Sequence, residues 1–119
     1  MTTLTGLAPV LTGTVELRTS SGWLAVCATA DLEPGRGVAV LLPDGAQAAV
    51  FKDSTGRLYA IGNVDPFTGA GVLCHGLLGS AGGRPYVASP LLKQRFALAD
   101  GRCLDDDAAA VASYPLRVS

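Results

Sequence analysis

Residues 89–104 read SPLLKQRFALADGRCL, and residues 60–67 read AIGNVDPF; the fold is decided by how these two stretches are understood. The first carries a short extended run, Arg95–Ala99, that ends in Ala-Asp-Gly at 99–101, a hairpin signal. The second is an apolar run that stops at Asp65-Pro66, a dipeptide that initiates turns. Working outward, the same alternation of short runs and turn residues covers most of the chain. The runs are Trp23–Thr29, Gly37–Leu42, Ala48–Lys52, Leu58–Gly62, Arg84–Ser89, Arg95–Ala99 and Tyr114–Val118, with Pro-Asp-Gly at 43–45 and Asp-Ser-Thr-Gly at 53–56 as further hairpin separators. Seven strands at this spacing predict an all-β domain, an antiparallel β-sandwich or partly closed barrel. Residues 1–20, rich in Thr, Gly and Ser, read as a flexible tail with one edge strand around Val15–Arg18. Residues 21–119 form the domain. Only Asp106–Ser113 reads as a short helix, on its alanine content. The glycine-rich stretch Asp65–Gly83 reads as loops.

Composition narrows the function. At 119 residues the chain suits one domain, with 49% hydrophobic and only 16% charged residues, against about 25% charged in ordinary soluble domains. So little polar surface is mild evidence for a face covered by a partner. A net charge of −1 gives no basic field to collect phosphates, which excludes nucleic acid as a natural partner. No stretch reaches the roughly 18 apolar residues of a membrane span, and the start lacks the basic region and cleavage site of a signal peptide. Three cysteines without paired spacing do not make a secreted disulfide framework. The expected location is the cytoplasm.

The segments IGNVDPF, VASPLLKQRFALADG and YPLRV carry a family resemblance that spans roughly residues 23–118. They are similar to the two ligand-bearing segments and the last strands of Rieske [2Fe–2S] domains. In particular, DPF and ASPLLKQ resemble the small subunit of assimilatory NAD(P)H-dependent nitrite reductase (NirD-type). A Rieske cluster is held by Cys-x-His and Cys-x-x-His, with two thiolates on one iron and two imidazoles on the other. The resemblance puts Asp65, Phe67, Ser89 and Leu92 at those four places. Phe67 and Leu92 have no lone pair for iron, Ser89 is a weak ligand, and Asp65 offers a hard oxygen where iron–sulfur clusters favour soft thiolate. The implied site is therefore a loop-rich former cluster-binding subdomain, approximately residues 63–95, without its cluster. Phe67 and Leu92 are expected to fill the vacated space as core residues, at about 1.5–3 kcal/mol each.

The resemblance further implies a non-catalytic subunit. Its large-subunit partner would carry FAD, siroheme and an iron–sulfur cluster, and would reduce nitrite to ammonium with nicotinamide electrons. The present chain has neither a G-x-G-x-x-G dinucleotide fingerprint nor a cysteine array. Lys93, Gln94 and Arg95, with Leu77 and Leu78, are the expected contacts to that partner. The alternatives are a free-standing Rieske-like ferredoxin, keeping a metal through Cys27, Cys74, His75 and Cys103, or an interaction module serving another oxidoreductase. Adjacent side chains in an extended segment diverge, so Cys74 and His75 are poorly suited to share one ion or to act as nucleophile and base. Asp105, Asp106 and Asp107 read as a solvated turn, since no EF-hand spacing is present.

Overall fold

The computed structural model describes residues 13–119. Ten strands form three antiparallel sheets, and these are not closed into a barrel. The first sheet has the order β10-β1-β2, built from Leu116–Val118, Thr14–Thr19 and Gly22–Ala28. The second is β3-β4-β5-β9, from Gly37–Leu41, Gln47–Lys52, Leu58–Gly62 and Ser113–Tyr114. The third is β6-β7-β8, from Leu77–Ala81, Arg84–Ala88 and Arg95–Ala97.

The second sheet is the middle layer, and its sequence explains why. Successive strand residues point to opposite faces, so a strand buried on both sides must be apolar throughout. In β4, Ala48 and Val50 face a core shared with Val15, Leu17, Leu32 and Leu42. Ala49 and Phe51 face the other way, into a core with Ile61, Leu73, Val87, Phe96 and Leu98. All four β4 residues are fully buried. The first sheet thus closes one core and the third sheet the other.

Several expectations are corrected. The strand expected at the edge is β1, and it lies in the centre of its sheet, with Val15 and Leu17 wholly buried. Its second neighbour is β10, whose register pairs Val15 with Val118. The rest of the expected tail, residues 1–12, lies outside the described residues. Asp106–Ser113 is no helix: it forms a turn, with a bridge from Arg102 to Ala110, before β9. Within the stretch expected to be loops, β6 pairs with β7 from Leu77↔Ala88 to Ala81↔Arg84. Its hairpin turn is Gly82-Gly83, with φ of 57° and 80°, the backbone a two-residue hairpin requires. Pro115 splits the last run in two, so Tyr114 pairs with β5 and Leu116 with β1. Among the described residues no helix is long and apolar enough to cross a membrane.

Candidate functional site

The loop after β5 is aimed by Asn63, which is buried. Its backbone N–H donates to the Gln47 carbonyl at 3.0 Å, and its own carbonyl accepts from Leu73 N–H at 3.0 Å. Its side chain donates to Gln47 Oε1 at 3.0 Å and accepts from Cys74 N–H at 2.8 Å. One residue therefore holds both ends of the segment that leads to Asp65. In the sequence, Asn63 and Gln47 are marked only by a polar residue set between an apolar strand and Asp-Pro.

Asp65 closes its own turn. Its Oδ1 accepts from Phe67 N–H at 2.8 Å, its N–H donates to the Ala70 carbonyl at 2.8 Å, and its carbonyl accepts from Gly69 N–H at 2.7 Å. This is the local hydrogen bonding that makes Asp a turn residue. The second loop closes in a similar way: Ser89 N–H donates to the Gln94 carbonyl, and Lys93 N–H donates to the Ser89 carbonyl. To close it, Lys93 takes φ of 65°, the one left-handed non-glycine residue among those described.

The two loops meet at a single bond. Ser89 Oγ donates to Asp65 Oδ2 at 2.6 Å, with Asp65 0% and Ser89 1% exposed. These are the two places where the resemblance puts the cluster's cysteines. The donor set does not suit a [2Fe–2S] group: one carboxyl and one hydroxyl are already committed to each other, and the remaining two places are hydrocarbon.

Phe67 and Leu92 are corrected. Neither is a core residue: Phe67 is 37% and Leu92 55% exposed. Asp65 and Ser89 occupy the interior between the loops, and the side chains flanking them turn outward. Phe67 only rests one side on Phe96, with ring centroids 6.3 Å apart.

The expected partner contacts separate. Leu77 is strongly exposed and Lys93 is exposed, whereas Leu78 packs against the core beneath the third sheet. Gln94 is half-buried, and its Oε1 is buried with no hydrogen-bond partner among the described residues. Arg95 is committed to Asp105, donating to its carboxylate through Nη2 at 2.7 Å and through the backbone N–H at 2.8 Å. Its guanidinium also lies 5.5 Å from the Tyr86 ring centre. That pairing holds the Asp105 carboxyl below its ordinary value. Asp106 accepts from Ala108 N–H in the following turn, with Asp106 and Asp107 both exposed.

The four residues of the alternative metal site are not gathered. Cys27 packs against the core beside the first sheet, while Cys74 and Cys103 lie in the core of the third. Cys74 and His75 share a short 3₁₀ turn, with Cys74 buried and His75 exposed, so they diverge. Burial pushes the Cys74 thiol up, which makes it a poor nucleophile. Among the described residues no three His, Cys, Asp or Glu side chains are placed to hold an ion.

Three antiparallel sheets with two loops pinned at one end define a Rieske-like domain. Residues 22–119 match the family model described as Rieske-like [2Fe-2S] domain. The nitrite reductase (NADH) small subunit of Salmonella typhimurium is 43% identical over 99 residues, which span 82% of this chain and 91% of that protein. A crystal structure described as an NADH-dependent nitrite reductase small subunit from Mycobacterium tuberculosis superposes with a TM-score of 0.76 at 48% identity, covering 88% of this chain and 86% of that one. The chain belongs to the family of nitrite reductase small subunits. A third relative, the nitrite reductase [NAD(P)H] large subunit of Klebsiella oxytoca, is 40% identical over 99 residues; these are 83% of this chain but 10% of that protein.

Proposed function

We propose that this chain is the non-catalytic small subunit of an assimilatory, NAD(P)H-dependent nitrite reductase. It supports the reduction of nitrite to ammonium by binding and aligning a large subunit in the cytoplasm. FAD, siroheme and an iron–sulfur cluster belong to that partner, and this chain takes no covalent or electron-carrying step. The observation that carries the reading is the buried Asp65–Ser89 bond, which joins the two loops where cluster thiolates would stand. A domain so joined offers shape and surface to its partner.

Two measurements test this. The purified chain is expected to be colourless and to lack stoichiometric iron; a brown protein with visible absorption would overturn the cluster-free role. Nitrite-dependent NADH oxidation by the large subunit is expected to rise when the chain is added. No stimulation together with no association would leave only the family and the fold.

A further inference from the structure

Resting on that reading, we propose that the tip built around the Asp65–Ser89 bond seats in an apolar recess of the large subunit. Phe67, Leu91 and Leu92 are its apolar contacts, Leu77 stands at its flank, and Lys93 is its cation.

Single exposed apolar side chains are ordinary on a protein surface, whereas clusters mark binding sites. Among the described residues eight large hydrophobic side chains are exposed. Four of them, Val64, Phe67, Leu91 and Leu92, lie within three residues of Asp65 or Ser89. Since a 2.6 Å bond joins those two anchors, the four leave the fold from one place. Leu77, 79% exposed, stands opposite Ala88, the residue before Ser89. The strained backbone at Lys93 sits in the same loop, and such strain concentrates where a surface is held ready for a ligand or partner. Lys93 enters no ion pair among the described residues, so its charge is available for a carboxylate beside the recess. Arg95 stays out of the contact because Asp105 already holds it.

The occupant follows from a relative in which the matched residues are joined to a large subunit. In the Klebsiella relative the matched residues are one tenth of a single large-subunit polypeptide. The rest of that chain must therefore leave the domain through its ends. Here Thr14 and Ser119 exchange backbone hydrogen bonds of 2.9 and 3.0 Å, so both ends of the domain emerge together on the first sheet. The tip is built from the loop after β5 of the second sheet and the loop after β7 of the third, away from the paired ends on the first. A tether at the ends leaves the tip free to seat on the remainder of the same polypeptide.

The test uses the full chain and the large subunit. Leu91→Ser with Leu92→Ser is compared with Leu41→Ser with Val38→Ser, a loss of two exposed apolar side chains on β3. The tip variant is expected to bind at least roughly thirtyfold more weakly, with an unchanged melting temperature. The β3 variant is expected to bind like the unaltered chain. Fusing the tip variant to the large subunit should restore nitrite-dependent NADH oxidation, because a tether replaces affinity with effective concentration. If the double variant melts early, Lys93→Glu takes its place, with weaker binding expected. Unchanged binding by the tip variant, or by Lys93→Glu where it stands in, overturns this surface and leaves the small-subunit reading intact. An unaltered chain that does not bind the large subunit removes both. Tip-dependent self-association with unaffected large-subunit binding also overturns the proposal, by assigning the face to a second copy.

Discussion

Replacing Ser89 with Ala removes one hydroxyl and leaves the buried Asp65 Oδ2 without the donor that stands 2.6 Å away. Phe67 N–H is already bonded to Oδ1, and Leu91 N–H, which donates to Ser89 Oγ at 3.3 Å, loses its acceptor as well. Both residues are shut off from water, so the unpartnered oxygen bears a desolvation cost of about 1–3 kcal/mol. For 119 residues, an unfolding entropy of about 2.1 cal/mol/K per residue sums to about 0.25 kcal/mol/K, so a loss of about 2 kcal/mol lowers the melting temperature by about 8 °C. Thermal unfolding followed by circular dichroism measures this directly. A cycle with Asp65→Ala separates the bond from everything else that Asp65 does. The double variant is expected to be less destabilised than the two single losses added together, by roughly 1–2 kcal/mol. A Ser89→Ala melting temperature within about 1 °C of the unaltered chain, or additive single losses, would refute the claim that this bond joins the loops.

Three more outcomes are expected. Asn63→Ala loses the bonds to Gln47 Oε1 and Cys74 N–H and should cost about 2–3 kcal/mol by urea unfolding, with faster hydrogen exchange at the Cys74 amide. Gly76→Ala would drive a Cβ into the Ala88 carbonyl and the Val87 side chain; a loss of about 1–3 kcal/mol is expected, read from the denaturant midpoint. Arg95→Gln changes the acid limb of the stability profile. The Asp105 carboxyl is held below its ordinary value of 3.8 by hydrogen bonds from the Arg95 side chain and backbone. Its contribution is therefore complete above pH 3.8 and lost as pH falls through the depressed value. Urea midpoints of variant and parent should differ most at neutral pH and converge in strong acid; a constant offset across the range would contradict the assignment.

Much of the fold was legible in the residues because it rests on local rules. The strand at Leu58–Gly62 appears as expected, and those around 23–28, 37–41 and 48–52 shift by about one residue. The glycines at 45, 56 and 101 take the positive φ that their turns need. The illegible parts are those decided by distant partners. Whether β1 is an edge or a centre depends on β10, about a hundred positions away in the chain. The helix expected at 106–113 rested on propensity alone, a weak prior that tertiary pairing overrides. β6 was hidden by its glycines, although Gly82-Gly83 advertised the hairpin. At the site, sequence placed Asp65 and Ser89 in matching loops but treated Asp65 as an ordinary turn former. Only the fold brings two residues 24 positions apart into one buried bond. The outward turn of Phe67 and Leu92 is hidden for the same reason: hydrophobicity alone does not say which way a side chain faces.

Pro115 divides the final strand so that its two halves finish two different sheets. The last strands of the domain in sequence are therefore the ones that cover the free side of β1 and the free side of β5. Until they emerge, a nascent chain carries two bare strand edges beside its apolar cores, the condition most prone to pairing with other chains. Without residues 113–118 the domain would keep nearly all of its core, with both of those edges open. Within this domain, the strands that come last in sequence are the ones that seal two sheets at once.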